Sequence, residues 1–179
     1  MIIRRAAMAD AHRIADIYAH YVHHTAITFA TAAPTAQDYQ ARIADDRYPF
    51  LVAEESGYIV GFAYAAPFRV KEAYRWDVEM TIYLAPGHEG RGTGRRLMEE
   101  CLRILTAQGY LNAYSCITIP NERSVGLHRR TGFTALGIFP KTGYKLGKWH
   151  DVIWMGRILG EFDGEPAEPL PVSAVETSQ

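Results

Sequence analysis

Met80-Thr81-Ile82-Tyr83-Leu84, followed shortly by Gly90-Arg91-Gly92-Thr93-Gly94-Arg95, decides how the rest of the chain reads. The first stretch alternates apolar and polar residues, as a strand with one buried face does. The second puts glycine at every other position and runs directly into a helical pattern whose apolar stripe is Leu97, Cys101, Ile104 and Leu105. Glycines let a backbone approach a ligand closely with its N–H groups turned inward, and a helix N-terminus adds partial positive charge. Strand, glycine loop and helix start therefore predict a site for a phosphorylated ligand, most simply a pyrophosphate. A Walker loop is excluded, because Thr93 stands where its lysine must follow the second glycine. The Gly90, Gly92, Gly94 spacing also departs from the dinucleotide fingerprint and lies in mid-chain. A flexible surface turn is the plain alternative.

Working outward, Ile2 to Ala6 reads as a strand and Asp10 to about Tyr21 as an amphipathic helix. Thr35-Ala36-Gln37-Asp38 has the form of a capping box for a second helix through Ile43. Phe50 to Glu54 and Tyr58 to Ala65, joined at Ser56-Gly57, predict a hairpin, and Trp76 to Leu84 a further strand. The helix after the loop should run through Gln108 and close at Gly109. Asn112 to Thr118 follows as a strand, then a short helix capped by Asn121 and reaching Arg130. Phe133 to Phe139 and Trp149 to Ile158 supply the closing strands. This order describes an α/β fold with a central mixed sheet of about seven strands and helices on both faces. Residues 1–159 form one domain in this reading. From Gly160 the composition turns to Glu, Pro, Ser and Thr, so 160–179 reads as a disordered tail or interaction arm.

The chain has 179 residues, room for one domain with a substantial core. A formal net charge of −1 gives no long-range field favouring nucleic acid or an anionic membrane. The first residues lack a signal-peptide run, no segment approaches membrane-spanning length, and Cys101 and Cys116 have no paired spacing. The expected protein is cytoplasmic and free of disulfides and metal. His20, His23 and His24 share a helical face but read as a polar helix end. His150 and Asp151 are adjacent on a strand and so point to opposite faces, which leaves His150 no catalytic role.

With the glycine loop placed between the fourth strand and third helix, the chain resembles the GNAT superfamily of acyl-CoA N-acyltransferases, and within it the phosphinothricin and methionine sulfoximine N-acetyltransferases. Further stretches carry the match: Tyr74-Arg75-Trp76 with Val78-Glu79, Asn121 with Ser124, Leu127 and His128, Thr131-Gly132-Phe133, and Gly143 through Val152. The resemblance spans about Ile2 to Ile158. It departs at Glu89, often Gln or Arg in the superfamily, and at Asp77, usually Thr. The resemblance implies acetyl-CoA as acyl donor, splayed fourth and fifth strands against which Ile82, Tyr83 and Leu84 meet pantetheine, and a homodimer. The cofactor contacts it implies are those three residues, Gly90 to Arg95 including Arg91 and Thr93, Asn121 and Ser124.

Acetyl transfer to an amine needs a deprotonated nucleophile, a stabilised oxyanion and a proton for the thiolate. Glu79, on the strand entering the loop, is the expected base; a surface carboxylate is its alternative reading. His128 occupies the helix position where many superfamily members carry a tyrosine that protonates the leaving sulfur. A histidine there serves as acid to the thiolate or second base to the amine, unless it is a half-buried structural residue. For the acceptor, Arg75 offers a two-pronged carboxylate contact, with Tyr74 and Phe29 as aromatic walls. Asp77 adds a carboxylate that would reject anionic amino acids or attract a second cation. The expected reaction is direct acetylation, in a ternary complex, of a small amino acid or analogue such as methionine sulfone, methionine sulfoximine or phosphinothricin. The alternatives are another amine, such as a polyamine, an antibiotic or a peptide N-terminus, and a catalytically silent acyl-CoA sensor.

Overall fold

A computed structural model describes residues 1–175. One seven-stranded sheet runs through it in the order β1-β2-β3-β4-β5-β7-β6. The strands are β1 (Ile2–Arg5), β2 (Phe50–Glu55), β3 (Tyr58–Pro67), β4 (Asp77–Leu84), β5 (Asn112–Ile119), β6 (Thr134–Lys145) and β7 (Lys148–Ile158). The helices are α1 (Ala11–His24), α2 (Ala36–Ala44), α3 (Thr93–Gln108) and α4 (Glu122–Arg130). Every pairing is antiparallel except β4 with β5.

Local chemistry sets the helix ends where the sequence places them. The Thr35 side chain accepts from the Asp38 N–H while the Asp38 carboxylate accepts from the Thr35 N–H, closing both ends of the capping box. Asn121 Oδ1 accepts from the Ser124 N–H at the start of α4. Gly109 ends α3 at φ +92°, and its N–H bonds back to the last turn.

The sheet divides the core in two. On one face Leu97, Met98, Cys101, Ile104 and Leu105 of α3 pack on Leu51, Val78 and Met80. On the other, Ile14, Ile17 and Tyr21 of α1 and Tyr39 of α2 pack on Phe50, Val52 and Phe62. Alternation along β4 sends Val78, Met80, Ile82 and Leu84 toward α3, so Glu79, Thr81 and Tyr83 face the α1 side. Burying side chains of this size contributes about 1.5–3 kcal/mol each, which holds the strand that carries Glu79 rigid from both faces.

Two expectations need correction. β6 runs well past Phe139 to Lys145 across an irregular register, and Leu146 and Gly147, both at positive φ, turn it into β7. The tail, expected to be a disordered segment or interaction arm from residue 160, is held against the domain from Ala167 to Val175. Val172 is fully buried in the α3 core, and its N–H donates to the Asp46 carbonyl. Gln108 Nε2 donates to the Leu170 carbonyl, Trp76 Nε1 to the Ala167 carbonyl, and Arg75 pairs with Glu168. Residues 176–179 of that expected tail lie outside the described residues.

Candidate functional site

β4 and β5 stay paired for only three positions, Asp77 with Asn112, Val78 with Ala113 and Glu79 with Tyr114. Beyond them the two strands separate, leaving the edge of β4 from Met80 onward without a strand partner on that side. Two cavities open into this split, of about 260 Å³ and about 530 Å³, and both touch Ile27, Ile82, Tyr83, Asn121 and Ser124.

The larger cavity lies under the glycine loop. Gly90, Gly92, Gly94 and Arg95 line it with Leu84 and the residues shared by both cavities. Gly90 and Gly92 have φ +78° and +84°, a backbone form that disfavours any residue with a Cβ. Gly94 is closely approached: a Cβ there would lie 3.3 Å from Leu127 Cδ2, which would have to shift by a few tenths of an ångström, and in ordinary contact at 3.6 Å with Ile82 and Leu84 side-chain carbons. Thr93 is buried in the first turn of α3 and Arg91 is exposed; neither is among the residues lining the cavity. The Glu89 carboxylate is turned back onto its own loop, accepting from the Gly87 N–H at 3.0 Å. Tyr21, Arg123, Leu127 and Arg130 also line the cavity and were not anticipated. Tyr21 donates its hydroxyl to the Leu84 carbonyl at 2.6 Å, and burial pushes its pKa up to about 12. Arg123, Leu127 and Arg130 stand at i, i+4 and i+7 on α4, and that shared helix face was the available signal for a cationic rim.

The smaller cavity holds Glu79, Ser115, Cys116, Thr118, His128 and Phe29. Burial pushes the Glu79 carboxyl above its ordinary range, and the Arg69 cation pulls it back. His128 is almost wholly buried on α4, its Nδ1 lying 2.8 Å from the Ser124 carbonyl oxygen. A carbonyl only accepts, so the proton sits on Nδ1 and the Nε2 lone pair is free to face the cavity. Desolvation holds the imidazole below its usual pKa despite that hydrogen bond, so the ring is neutral at physiological pH. The split between β4 and β5 thus lets a carboxylate from one face of the sheet and an imidazole from the other look into one space. Cys116 shares it, but burial and then Glu79 raise its thiol to about 11, which leaves it a poor nucleophile at neutral pH.

Phe29 is locked in place. Its ring lies over the Gly143 backbone, where a Cβ would collide with it, and beside the His150 ring at 6.2 Å. Lys145 Nζ donates to the Thr28 carbonyl at 2.7 Å, and His150 Nε2 donates to the Lys145 carbonyl at 3.0 Å. His150 therefore braces the β6–β7 hairpin, while Trp149 beside it is exposed.

The other residues expected to bind the acceptor are not in this cavity. Arg75 pairs with Glu168 at 2.7 Å and lies over the Trp76 ring. Asp77 accepts from Asn112 Nδ2 at 2.8 Å, bracing the first pair of the β4–β5 junction. Tyr74 stacks edge-on against Phe68. Both charges that the sequence reading aimed at the acceptor are thus engaged by the protein itself. The cation that Glu79 and Cys116 feel is Arg69, which lies 4.0 Å over the Phe68 ring and 5.5 Å from that of Trp154. Among the described residues no cluster of three or more His, Cys, Asp or Glu is arranged to hold a metal, and no helix is long and apolar enough to cross a membrane.

Comparison with known proteins bears on the same site. A family model described as "Acetyltransferase (GNAT) domain" matches residues 3–154. The phosphinothricin N-acetyltransferase of Streptomyces viridochromogenes is 39% identical over 175 residues, covering 97% of this chain and 93% of the relative. The L-methionine sulfoximine/L-methionine sulfone acetyltransferase of Salmonella typhimurium is 34% identical over 165 residues, covering 90% and 96%. The crystal structure of a phosphinothricin acetyltransferase from Sinorhizobium meliloti in complex with acetyl-CoA superposes with a TM-score of 0.88 at 35% identity, covering 94% of each chain.

Proposed function

The chain belongs to the GNAT acetyltransferase family, and from there we propose that it transfers the acetyl group of acetyl-CoA to the primary amine of a small amino acid or analogue of the phosphinothricin and methionine sulfoximine or sulfone class. The observation that carries this reading is the β4–β5 split, which joins a long cavity beneath a helix N-terminus to a short one holding a half-buried carboxylate. Pantetheine would lie along the open edge of β4 beside Ile82, Tyr83 and Leu84, extending the sheet as an added strand does. The pyrophosphate would meet the N–H groups from Gly90 to Arg95, with Arg91 and Thr93 contributing from the loop and helix start. Arg123 and Arg130 add positive charge on the same cavity. Asn121 and Ser124 stand where the two cavities meet and are assigned to the cofactor arm.

Glu79 takes the proton of the bound ammonium, and a pKa raised by burial makes it a better base than an exposed carboxylate. The free amine attacks the thioester carbon, a β4 main-chain N–H holds the oxyanion, and His128 lies within the same cavity for the proton that must reach sulfur. With Cys116 held as a thiol, transfer is direct and needs no acyl-enzyme. Phe29 forms one wall for the acceptor side chain, and Arg69 is the cation whose charge reaches Glu79. Asn112 already engages Asp77, which weakens the grounds for a polyamine.

The reaction belongs in the cytoplasm, where the acyl donor and free amino acids meet, and the two cysteines are unpaired. A homodimer is the assembly we infer, with the exposed Leu136, Ile138, Phe139 and Trp149 of the β6–β7 edge as the surface that a second copy would cover. Thiol release from acetyl-CoA, measured against methionine sulfone, phosphinothricin, spermidine and a short peptide, tests the assignment. Turnover on the first two, abolished by Glu79→Gln, is the expected result. Preference for spermidine or the peptide would refute it.

A further inference from the structure

Among the described residues only two buried side-chain polar atoms lack a hydrogen-bond partner, Gln108 Oε1 and Ser115 Oγ. Gln108 is accounted for by the tail, since its amide nitrogen reaches both the Arg47 and Leu170 carbonyls. Ser115 has no such duty. It is 2% exposed, stands between Ala113 and Ile117 on the buried face of β5, and lines the cavity that also holds Glu79 and His128. An unsatisfied buried hydroxyl costs about 1–3 kcal/mol, so alanine would serve better here if packing alone mattered.

The second observation is the orientation of His128. Its Nδ1–H is committed to the Ser124 carbonyl at 2.8 Å, with the Ser124 hydroxyl at 3.5 Å too distant to compete, so its Nε2 is an acceptor. Ser115 and His128 reach the same space from β5 and α4. A hydroxyl both donates and accepts, and a cavity of about 260 Å³ has room for water beside a small acceptor.

We propose that Ser115 is a positioning residue that holds a water molecule against His128 Nε2, forming a proton relay from the attacking nitrogen to the departing sulfur. This rests on the acetyltransferase reading above. As the C–N bond forms, the carbonyl electron pair moves to oxygen, and the nitrogen, now cationic, gives a proton to the water. The water passes one of its own protons to Nε2, its other hydrogen or lone pair held by Ser115 Oγ. Collapse of the oxyanion breaks the C–S bond with its electron pair on sulfur, and the imidazolium returns the proton to the thiolate. No oxidant, reductant or further reactant enters.

The test compares Ser115→Ala, Ser115→Thr and His128→Gln, alone and as the Ser115→Ala/His128→Gln pair, in the full-length enzyme. Ser115→Ala should lower kcat about 5- to 20-fold with KM for acetyl-CoA unchanged, because the water loses its anchor. Ser115→Thr, which keeps the hydroxyl, should restore most of the rate. In the His128→Gln background the serine substitution should have no further effect. The limb of the kcat profile that follows His128 should move in Ser115→Ala; the other titratable groups on this cavity are Glu79, Cys116 and the tyrosines Tyr18, Tyr64 and Tyr83, which Ser115→Ala leaves in place. If His128→Gln lowers kcat but Ser115→Ala leaves rate and profile at wild-type values, the relay is overturned and the acetyltransferase reading stands. Equal, additive losses from both substitutions also overturn it. If no variant, wild type included, acetylates an amino-acid amine, it is the underlying reading that fails.

Discussion

Gly92→Ala separates backbone conformation from space in the cofactor loop. Gly92 sits at φ +84°, and a Cβ added there meets no atom within 4 Å. The penalty is therefore conformational, about 1–2 kcal/mol for an L-residue held in the left-handed region. It must appear somewhere. Borne wholly by the loop, it displaces the N–H groups that face the ligand and raises KM for acetyl-CoA about 5- to 30-fold, at 1.4 kcal/mol per decade. Borne wholly by the fold, it lowers the melting temperature by about 2–8 °C for a chain of this size. Gly94→Ala works through volume: its Cβ would press on Leu127 Cδ2 at the cavity wall, while an alanine in the first helical turn favours the helix. That variant should raise KM for acetyl-CoA with little change in melting. The assays are initial rates of thiol release over a range of acetyl-CoA and differential scanning calorimetry. Gly92→Ala with both its melting temperature and its KM at wild-type values would refute the argument that this loop needs a left-handed residue.

Three further outcomes follow from the same contacts. Arg69 favours the ionised form of Glu79, so Arg69→Gln should raise the carboxyl's pKa further and move the acid limb of kcat/KM to higher pH; a limb that stays put or moves down contradicts the electrostatic link. Val172→Ala empties a fully buried seat in the α3 core and should cost about 2 kcal/mol, seen as a melting temperature about 4–8 °C lower; an unchanged melt would mean the tail is not anchored there. Gly143→Ala drives a methyl into the Phe29 ring, an overpacking worth about 1–3 kcal/mol, and should raise KM for the acceptor while sparing KM for acetyl-CoA.

Elements with local chemistry were legible in the sequence. The box at Thr35 and Asp38, the Asn121 cap and the Gly109 stop each act within a few residues, and each stands where the spacing put it. The glycine loop and the alternation of β4 brought Glu79 beside the cofactor side for the same reason. What could not be read depends on partners far along the chain. Arg75 looked available to a substrate because Glu168 is remote in sequence, and Asp77 because Asn112 is reached only once β4 and β5 pair. The tail misled through composition: proline and acidic residues hid the fact that one valine, at 172, and two backbone groups of Leu170 are enough to tie it down. The extension of β6 was hidden by its irregular register, which breaks the period that marks a strand.

The bound tail has a consequence for how the enzyme comes into being. Residues 167 to 173 reach the two residues just before β4 and the segment ahead of β2, through Trp76, Arg75 and Asp46. They also follow every strand and helix in chain order. A nascent chain can therefore assemble its sheet and helices from the N-terminal side, yet the strand bearing Glu79 receives these anchors only after β7 has been made.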